Sequence, residues 1–157
     1  MRIGTGYDSH RFSAGRRLIL GGLEIPYKMG LLGHSDGDVL VHAIIDSIIG
    51  AAGMGDIGRH FPDTDPRWKD ASSIEMLRDT IGAVGERGYG IVNIDSSIIT
   101  EEPRLSPYIP DMIDIISKTG IPEGALNIKA KTNEGMGFIG RGEGVVAISV
   151  ALLYSCR

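Results

Sequence analysis

The sequence predicts an α/β sandwich: a single domain over residues 1–157, with one mixed main sheet and helices packed on one of its faces. Two observations carry this. Stretches that alternate with the period of a strand are interleaved with stretches apolar at helical spacing, in the order strand, hairpin, helix, helix, strand, helix, strand, strand. No linker, repeat or shift of composition divides them, and 157 residues suffice for one sizeable core. Three helices cover one face of such a sheet. The other face also carries apolar residues and is expected to lie against another subunit.

Residues 2–10 alternate as a strand, with Ile3, Thr5 and Tyr7 on one face and Gly4, Gly6, Asp8 and His10 on the other. Leu18 to Ile25, centred on Gly21-Gly22, reads as a small hairpin. Gly33-His34-Ser35-Asp36-Gly37-Asp38 then runs into the apolar stretch Val39 to Ile49, a loop entering a buried helix that Asp36 or Asp38 can cap. Residues 56–66 are dense in Gly, Pro and Asp and read as a loop. Ser72-Ser73-Ile74-Glu75 resembles a capping box opening a helix to about Arg87, with Ile74, Leu77, Ile81 and Val84 as its apolar stripe. Tyr89 to Ile99 is a strand, Ser106 to Lys118 a helix with Met112, Ile115 and Ile116 inward, and Leu126 to Lys131 a short strand. A glycine-rich loop over 132–142 precedes a last strand, Val145 to Leu153, apolar on both faces and so expected to be buried on both.

Composition excludes several classes. Sixteen basic against twenty acidic residues give a formal −4, which argues against nucleic-acid binding driven by bulk charge. No apolar run has the length of a membrane span, and the N-terminus lacks a signal peptide's apolar segment. The one cysteine, Cys156, cannot form an internal disulfide, which fits a cytoplasmic setting. The 23 glycines are about twice the usual share of roughly 7% and suit tight turns and close backbone approaches to a ligand.

His42 falls about one turn inside an apolar helix, where both ring nitrogens need partners. Asp8 and His10, at alternate positions of a strand end, put a carboxylate and an imidazole side by side. With His42 they would complete a three-ligand zinc site with one open position, and Asp46, four residues on, could orient the free ring nitrogen. Spacing alone leans to an ion pair at a strand end and a satisfied core histidine. His34 and Ser35 read either as groups facing a substrate or as part of the helix cap. In the loop of 129–144, backbone amides could cradle phosphate oxygens, with Lys131 and Arg141 adding charge and Glu134 holding Mg²⁺, or it could be a flexible hairpin loop. His60 reads as a surface residue and Trp68 as structural.

Together, five segments resemble one enzyme family, the 2-C-methyl-D-erythritol 2,4-cyclodiphosphate synthases of non-mevalonate isoprenoid synthesis. They are Arg2-Ile3-Gly4-x-Gly6-Tyr7-Asp8-x-His10, Gly21-Gly22-x-x-Ile25-Pro26, His34-Ser35-Asp36-Gly37-Asp38-Val39-x-x-His42, Gly55-Asp56-Ile57-Gly58-x-x-Phe61-Pro62-Asp63-Thr64-Asp65, and Gly137-Phe138-x-Gly140-Arg141-Gly142-Glu143-Gly144. The resemblance implies a homotrimer with active sites between subunits and zinc on Asp8, His10 and His42. It implies a cytidine diphosphate substrate, 4-diphosphocytidyl-2-C-methyl-D-erythritol 2-phosphate, whose 2-phosphate attacks the β-phosphorus so that CMP leaves. His34 and Thr132 match positions that align the reacting phosphates, and Glu134 one that holds Mg²⁺ or Mn²⁺ with the diphosphate. Ser35, Asp56, Ile57, Gly58, Phe61, Pro62, Asp63, Thr64 and Asp65 match positions around the erythritol phosphate. Thr100, Glu101, Glu102, Pro103, Arg104, Leu105, Ser106, Lys131 and Asn133 match nucleotide positions from the next subunit, and Phe138 and Arg141 match binding positions in the late loop. Thr5 stands where many relatives carry His, Arg104 where Lys is usual, and Lys131 and Asn133 where some have Thr. The alternatives are a zinc phosphoesterase attacking with metal-bound water, and a non-enzymatic trimeric small-molecule binding module.

Overall fold

The computed structural model describes residues 1–156. A five-stranded mixed sheet runs in the order β4-β1-β7-β5-β6, formed by β1 (Arg2–Ser13), β4 (Gly30–Leu31), β5 (Tyr89–Ile99), β6 (Leu126–Lys131) and β7 (Gly144–Ser155). Only β5 and β6 pair in parallel; β1 pairs antiparallel with β7, placing Asp8 opposite Ala147 and His10 opposite Val145. The strand expected over 2–10 continues to Ser13 because Phe12 and Ser13 find partners in β4, a two-residue strand too short to show in the sequence. The hairpin forms as expected from β2 (Leu18–Leu20) and β3 (Leu23–Ile25). Gly21 and Gly22 make its turn at φ +62° and +74°, the left-handed pair that a two-residue hairpin requires.

Helix α1 (Val39–Ala52) lies across the sheet and is buried at every position except Asp46 and Gly50. An all-round apolar helix belongs inside a layered fold, and here β1 lets it in closely. A Cβ on Gly6 would stand 1.9 Å from the Ala43 carbonyl oxygen, and one on Gly4 2.2 Å from that of Ser47. Backbone thus packs on backbone, and the same strand face continues to Asp8 and His10. Ser149 joins the layers beneath, its hydroxyl 3.2 Å from Ser47 Oγ and accepting from Ser96 Oγ at 3.0 Å. Of the two candidate caps, Asp38 is the one used. Its buried carboxylate accepts from the amides of Val41 (3.1 Å), Gly21 (3.0 Å) and Gly22 (2.7 Å), tying the hairpin turn to the start of α1. Burial and the nearby Asp36 charge push the Asp38 carboxyl up to about 6, against the pull of those amides.

Three expectations change. The loop over 56–66 contains a short helix, α2 (Ile57–His60), capped by Asp56, and a 3₁₀ turn follows at Pro66–Trp68. Helix α3 (Ser73–Glu86) begins where expected but without the capping box. Ser72 makes no cap bond, Glu75 pairs with Arg78, and the Asp36 carboxylate takes the Ser73 amide at 2.8 Å instead. The last strand is buried along its α1 face, whereas the opposite face is buried at Val146 and opens further along. There Ile148 is 44% exposed, beside Ile3 at 69% and Tyr7 at 59%. The remaining helices are α4 (Ile109–Ser117), with Met112 and Ile116 inward, and α5 (Gly137–Gly140) in the glycine-rich loop. No helix among the described residues is long and apolar enough to cross a membrane.

Asp38→Ala is expected to lower stability by roughly 2–4 kcal/mol, about 1 for the cap and the rest for two orphaned glycine amides. Urea unfolding followed by circular dichroism measures it; a loss below about 1 kcal/mol contradicts the anchoring role.

Candidate metal centre and its cavity

Asp8 and His10 project from the α1 face of β1, and His42 meets them from one turn inside α1. Asp8 Oδ2 lies 2.9 Å from His42 Nδ1 and 3.0 Å from His10 Nε2, and the two ring nitrogens are 3.3 Å apart. One oxygen and two nitrogens therefore converge on a single point. Three donors around a tetrahedral ion at about 2.0–2.1 Å stand about 3.3 Å apart, so the triangle fits such an ion closely. This is the one cluster of metal-ligating side chains among the described residues with that geometry. Two imidazoles and a carboxylate suit zinc better than the oxygen-seeking Mg²⁺ or Ca²⁺.

The electrostatics agree. Burial raises the Asp8 carboxyl, but hydrogen bonds from His10 and His42 and their charge outweigh it and hold it far below the usual carboxylate range. Burial likewise lowers His10, and the Asp8 carboxylate wins there too, leaving its pKa above 6.5.

The expected partner behind His42 is not Asp46, whose Oδ1 accepts from the Ile57 amide at 3.0 Å and so fixes the start of α2. Nε2 instead faces two hydroxyls, Ser73 Oγ at 2.9 Å and Ser35 Oγ at 3.1 Å. The Ser35 backbone is held in turn by Arg16, whose guanidinium donates to its carbonyl at 2.9 Å.

The three ligands open into a cavity of about 260 Å³. His34 and Ser35 form one wall, and Ile57, Gly58, Phe61 and Asp63 another. Asp56 stands behind this wall as the cap of α2, Pro62 and Thr64 continue its loop, and Asp65 is turned toward Arg67. Sequence patterning does not mark Trp68, Met76 or Ser73 as site residues. Trp68, read as structural, lines the cavity and meets Phe61 edge-on at 4.9 Å between ring centroids. His60, expected at the surface, is half-buried with Nε2 2.9 Å from the Met54 carbonyl oxygen.

A second group of predicted residues lies elsewhere on the chain. Thr100, Glu101, Pro103 and Arg104 line a groove of about 310 Å³ with Leu105, Ser106, Lys131 and Thr132, and none of these lines the metal cavity. The Glu102 carbonyl closes the turn by accepting from Thr100 Oγ1 at 2.7 Å. Glu101 is aimed at the glycine-rich loop, where its Oε1 accepts from the amides of Asn133 (2.8 Å) and Gly135 (3.4 Å), two groups the sequence offered to phosphate. Thr132 Oγ1 donates to Glu134 Oε1 at 2.7 Å. Phe138 lines a third hollow, with His10, Arg11 and Glu143 among its walls, and Arg141 pairs with Glu143 at 2.6 Å.

The YgbB family model matches residues 1–154. The chain belongs to the YgbB family. Its relatives include the 2-C-methyl-D-erythritol 2,4-cyclodiphosphate synthases of Geotalea daltonii, 55% identical with 98% of this chain and 90% of that one covered, and Clostridium novyi, 54% identical with 98% of both covered. Among solved structures, the bifunctional IspDF from Campylobacter jejuni matches with a TM-score of 0.94 and 42% identity; 98% of this YgbB chain is covered, and 42% of that longer one. The Plasmodium falciparum IspF in complex with CDP matches with a TM-score of 0.86 and 34% identity, covering 99% and 97%.

Zinc uptake must displace any proton held on the His10 ring. Because the Asp8 carboxylate beside it holds that ring's pKa above the ordinary imidazole value, the affinity for zinc is expected to climb with pH through the neutral range. The climb should approach about tenfold per pH unit while the ring stays protonated. Calorimetric titration with zinc across this range checks it; a flat profile contradicts it.

Proposed function

We propose that the chain converts 4-diphosphocytidyl-2-C-methyl-D-erythritol 2-phosphate to 2-C-methyl-D-erythritol 2,4-cyclodiphosphate and CMP, in the non-mevalonate route to isoprenoid precursors. The observation that carries the reading is the convergence of Asp8, His10 and His42 at the mouth of a cavity, in a chain more than half identical to named cyclodiphosphate synthases over nearly its full length. It acts as a single catalytic domain over 1–157, in the cytoplasm. An oxygen of the substrate's 2-phosphate forms a bond to the β-phosphorus, the bond from that phosphorus to the bridging oxygen breaks, and CMP leaves with the oxygen. The nucleophile belongs to the substrate, so no Ser or Cys nucleophile is required.

Asp8, His10 and His42 would hold Zn²⁺, and Glu134 would hold Mg²⁺ or Mn²⁺ with the diphosphate. Bound there, these ions supply positive charge that lets two anionic phosphates approach. The protein does the positioning. His34 and Ser35 hold the erythritol phosphate against the metal ligands, and Ile57, Gly58, Phe61 and Asp63 enclose the carbon chain and shut out water. Asp56, Pro62, Thr64 and Asp65 set the shape of that loop. Thr100 to Ser106, with Lys131 and Asn133, seat the cytidine and its phosphates, and Thr132 aligns the β-phosphoryl group. Holding one flexible molecule by both ends is the principal source of rate, because ring closure is then near-unimolecular. Phe138 and Arg141 flank the site from the late loop.

The metal cavity and the nucleotide groove share no lining residue on one chain. We therefore place the active site between copies in a homotrimer, with the exposed sheet face of Ile3, Tyr7 and Ile148 as the natural buried interface. The complex of the Plasmodium falciparum relative with CDP supports the cytidine end of this reading.

Phosphorus NMR of the product decides between cyclisation and attack by metal-bound water. The ring diphosphate is expected together with CMP, and a linear product would favour the phosphoesterase. A chelator should stop turnover and zinc restore it. His42→Ala should lower turnover by more than about 100-fold, since losing even a group behind a metal ligand costs 10–100-fold. Thr132→Ala should lower kcat by roughly 10²-fold, the cost of one donor to developing charge. No CMP release by the zinc- and magnesium-loaded protein would leave a binding module as the better reading.

A further inference from the structure

The side of His42 that faces away from the metal ligands carries a further assignment, which rests on the metal-centre reading. A ring nitrogen that ligates a cation has no proton, so a neutral His42 with Nδ1 toward Asp8 and His10 must carry its proton on Nε2. Two hydroxyls stand within reach of that proton, Ser73 Oγ at 2.9 Å and Ser35 Oγ at 3.1 Å. Their surroundings differ. Ser73 is fully buried at the first position of α3, and its Oγ makes a very short contact with Asp36 Oδ1. Its own amide donates to Asp36 Oδ2 at 2.8 Å, so the carboxylate grips the residue by backbone and side chain together. Asp36 also accepts from the Asp38 amide at 3.2 Å, one residue's breadth from the cap of α1. A carboxylate only accepts, and a serine hydroxyl has one proton to give. Spent on Asp36, that proton leaves Ser73 Oγ as an acceptor alone, and the donor it faces is His42 Nε2–H. Ser35, by contrast, lines the open cavity, and the one other partner of its hydroxyl is a distant Gly37 amide at 3.4 Å.

We propose that Ser73, oriented by Asp36, is a positioning residue of the metal centre: the chain Asp36–Ser73–His42 fixes the imidazole as its Nε2–H tautomer with the Nδ1 lone pair aimed at the metal, and frees the Ser35 hydroxyl to donate to a phosphate in the cavity. Metal-bound histidines commonly give their second N–H to a carboxylate directly, which fixes the ring and raises its basicity. Here a serine is interposed, because the carboxylate comes from the loop before α1 and also serves as the N-terminal cap of α3. The two neighbouring hydroxyls thus have divided duties, Ser73 to the ligand and Ser35 to the substrate.

The test uses zinc alone, in competition with a chromophoric chelator at neutral pH, and the visible absorption of the Co²⁺-substituted protein. Ser73→Ala is expected to bind zinc about 10–100-fold more weakly and to shift the Co²⁺ bands, while the metal-free protein keeps its circular dichroism. Asp36→Asn, which keeps the shape and weakens the pull on the hydroxyl, should change both readouts in the same direction by less, and stands in if Ser73→Ala does not fold. Ser35→Ala should leave zinc affinity and the Co²⁺ spectrum as they are and raise KM. Wild-type zinc affinity and an unshifted Co²⁺ spectrum in both Ser73→Ala and Asp36→Asn would overturn the assignment, as would an equal loss of zinc in Ser35→Ala. A wild-type chain that takes up no zinc would overturn the metal-centre reading itself.

Discussion

The structure depends on one close contact, that of α1 with the glycine face of β1. Helices usually meet sheets through a layer of side chains. Here Gly4 and Gly6 remove that layer, and the helix backbone at Ala43 and Ser47 comes down on the strand itself. The consequence is local and chemical. Immediately before Ala43 the helix presents His42, and two and four residues beyond Gly6 the strand presents Asp8 and His10. With ordinary side chains in the gap the three ligands would stand too far apart to share an ion. Asp38 fixes the N-terminus of the same helix, just ahead of His42, by capping it and taking both amides of the hairpin turn. Packing geometry, not a local motif, thus creates the centre.

An acidic chain that handles a triply phosphorylated substrate must solve a charge problem. The formal charge is −4, and the walls of the metal cavity add Asp63 and leave no lysine or arginine among its lining residues. Cations are concentrated where the proposed nucleotide end would sit, at Arg104 and Lys131. The proposed arrangement is therefore asymmetric. Asp8, His10 and His42 would hold a cation against the phosphate at one end, while Arg104, Lys131 and a cation on Glu134 would meet the diphosphate at the other. Glu101 tempers this by occupying the Asn133 and Gly135 amides, which makes it a strut of the glycine-rich loop before it is anything else. Arg16, through the Ser35 carbonyl, and Asp36, through Ser73, hold the opposite wall in the same way.

What the sequence disclosed follows from how local each determinant is. Strand alternation in β1 correctly put Asp8 and His10 on the face of Gly4 and Gly6, and the polar-to-apolar change at Asp38 located the start of α1. The hairpin was legible because Gly-Gly is the whole of its turn chemistry. The capping box at Ser72 was not borne out, because the real cap, Asp36, lies far upstream and only tertiary structure brings it to α3. Helical spacing makes Asp46 an available partner for His42, whereas the imidazole points its second nitrogen at Ser73 of α3 and not along its own helix. The short helix α2 was hidden by a composition suited to turns, with Asp56 supplying the cap that the loop reading missed. In β7, apolar residues on both faces mark a sheet covered on one side by α1 and only in part on the other, where Val146 is buried but Ile148 stays exposed on the single chain. Motif order across the chain pointed to the family before any coordinate did, and the family match agrees.

The central claim is that Asp8, His10 and His42 hold one ion between strand and helix. Anomalous diffraction from crystals of the zinc-loaded protein, recorded on both sides of the zinc absorption edge, tests it most directly. One strong peak per chain is expected, bonded to Asp8 Oδ2, His10 Nε2 and His42 Nδ1 at about 2.0–2.2 Å. Full zinc loading with no peak among these three atoms, or with the peak elsewhere in the chain, would contradict it.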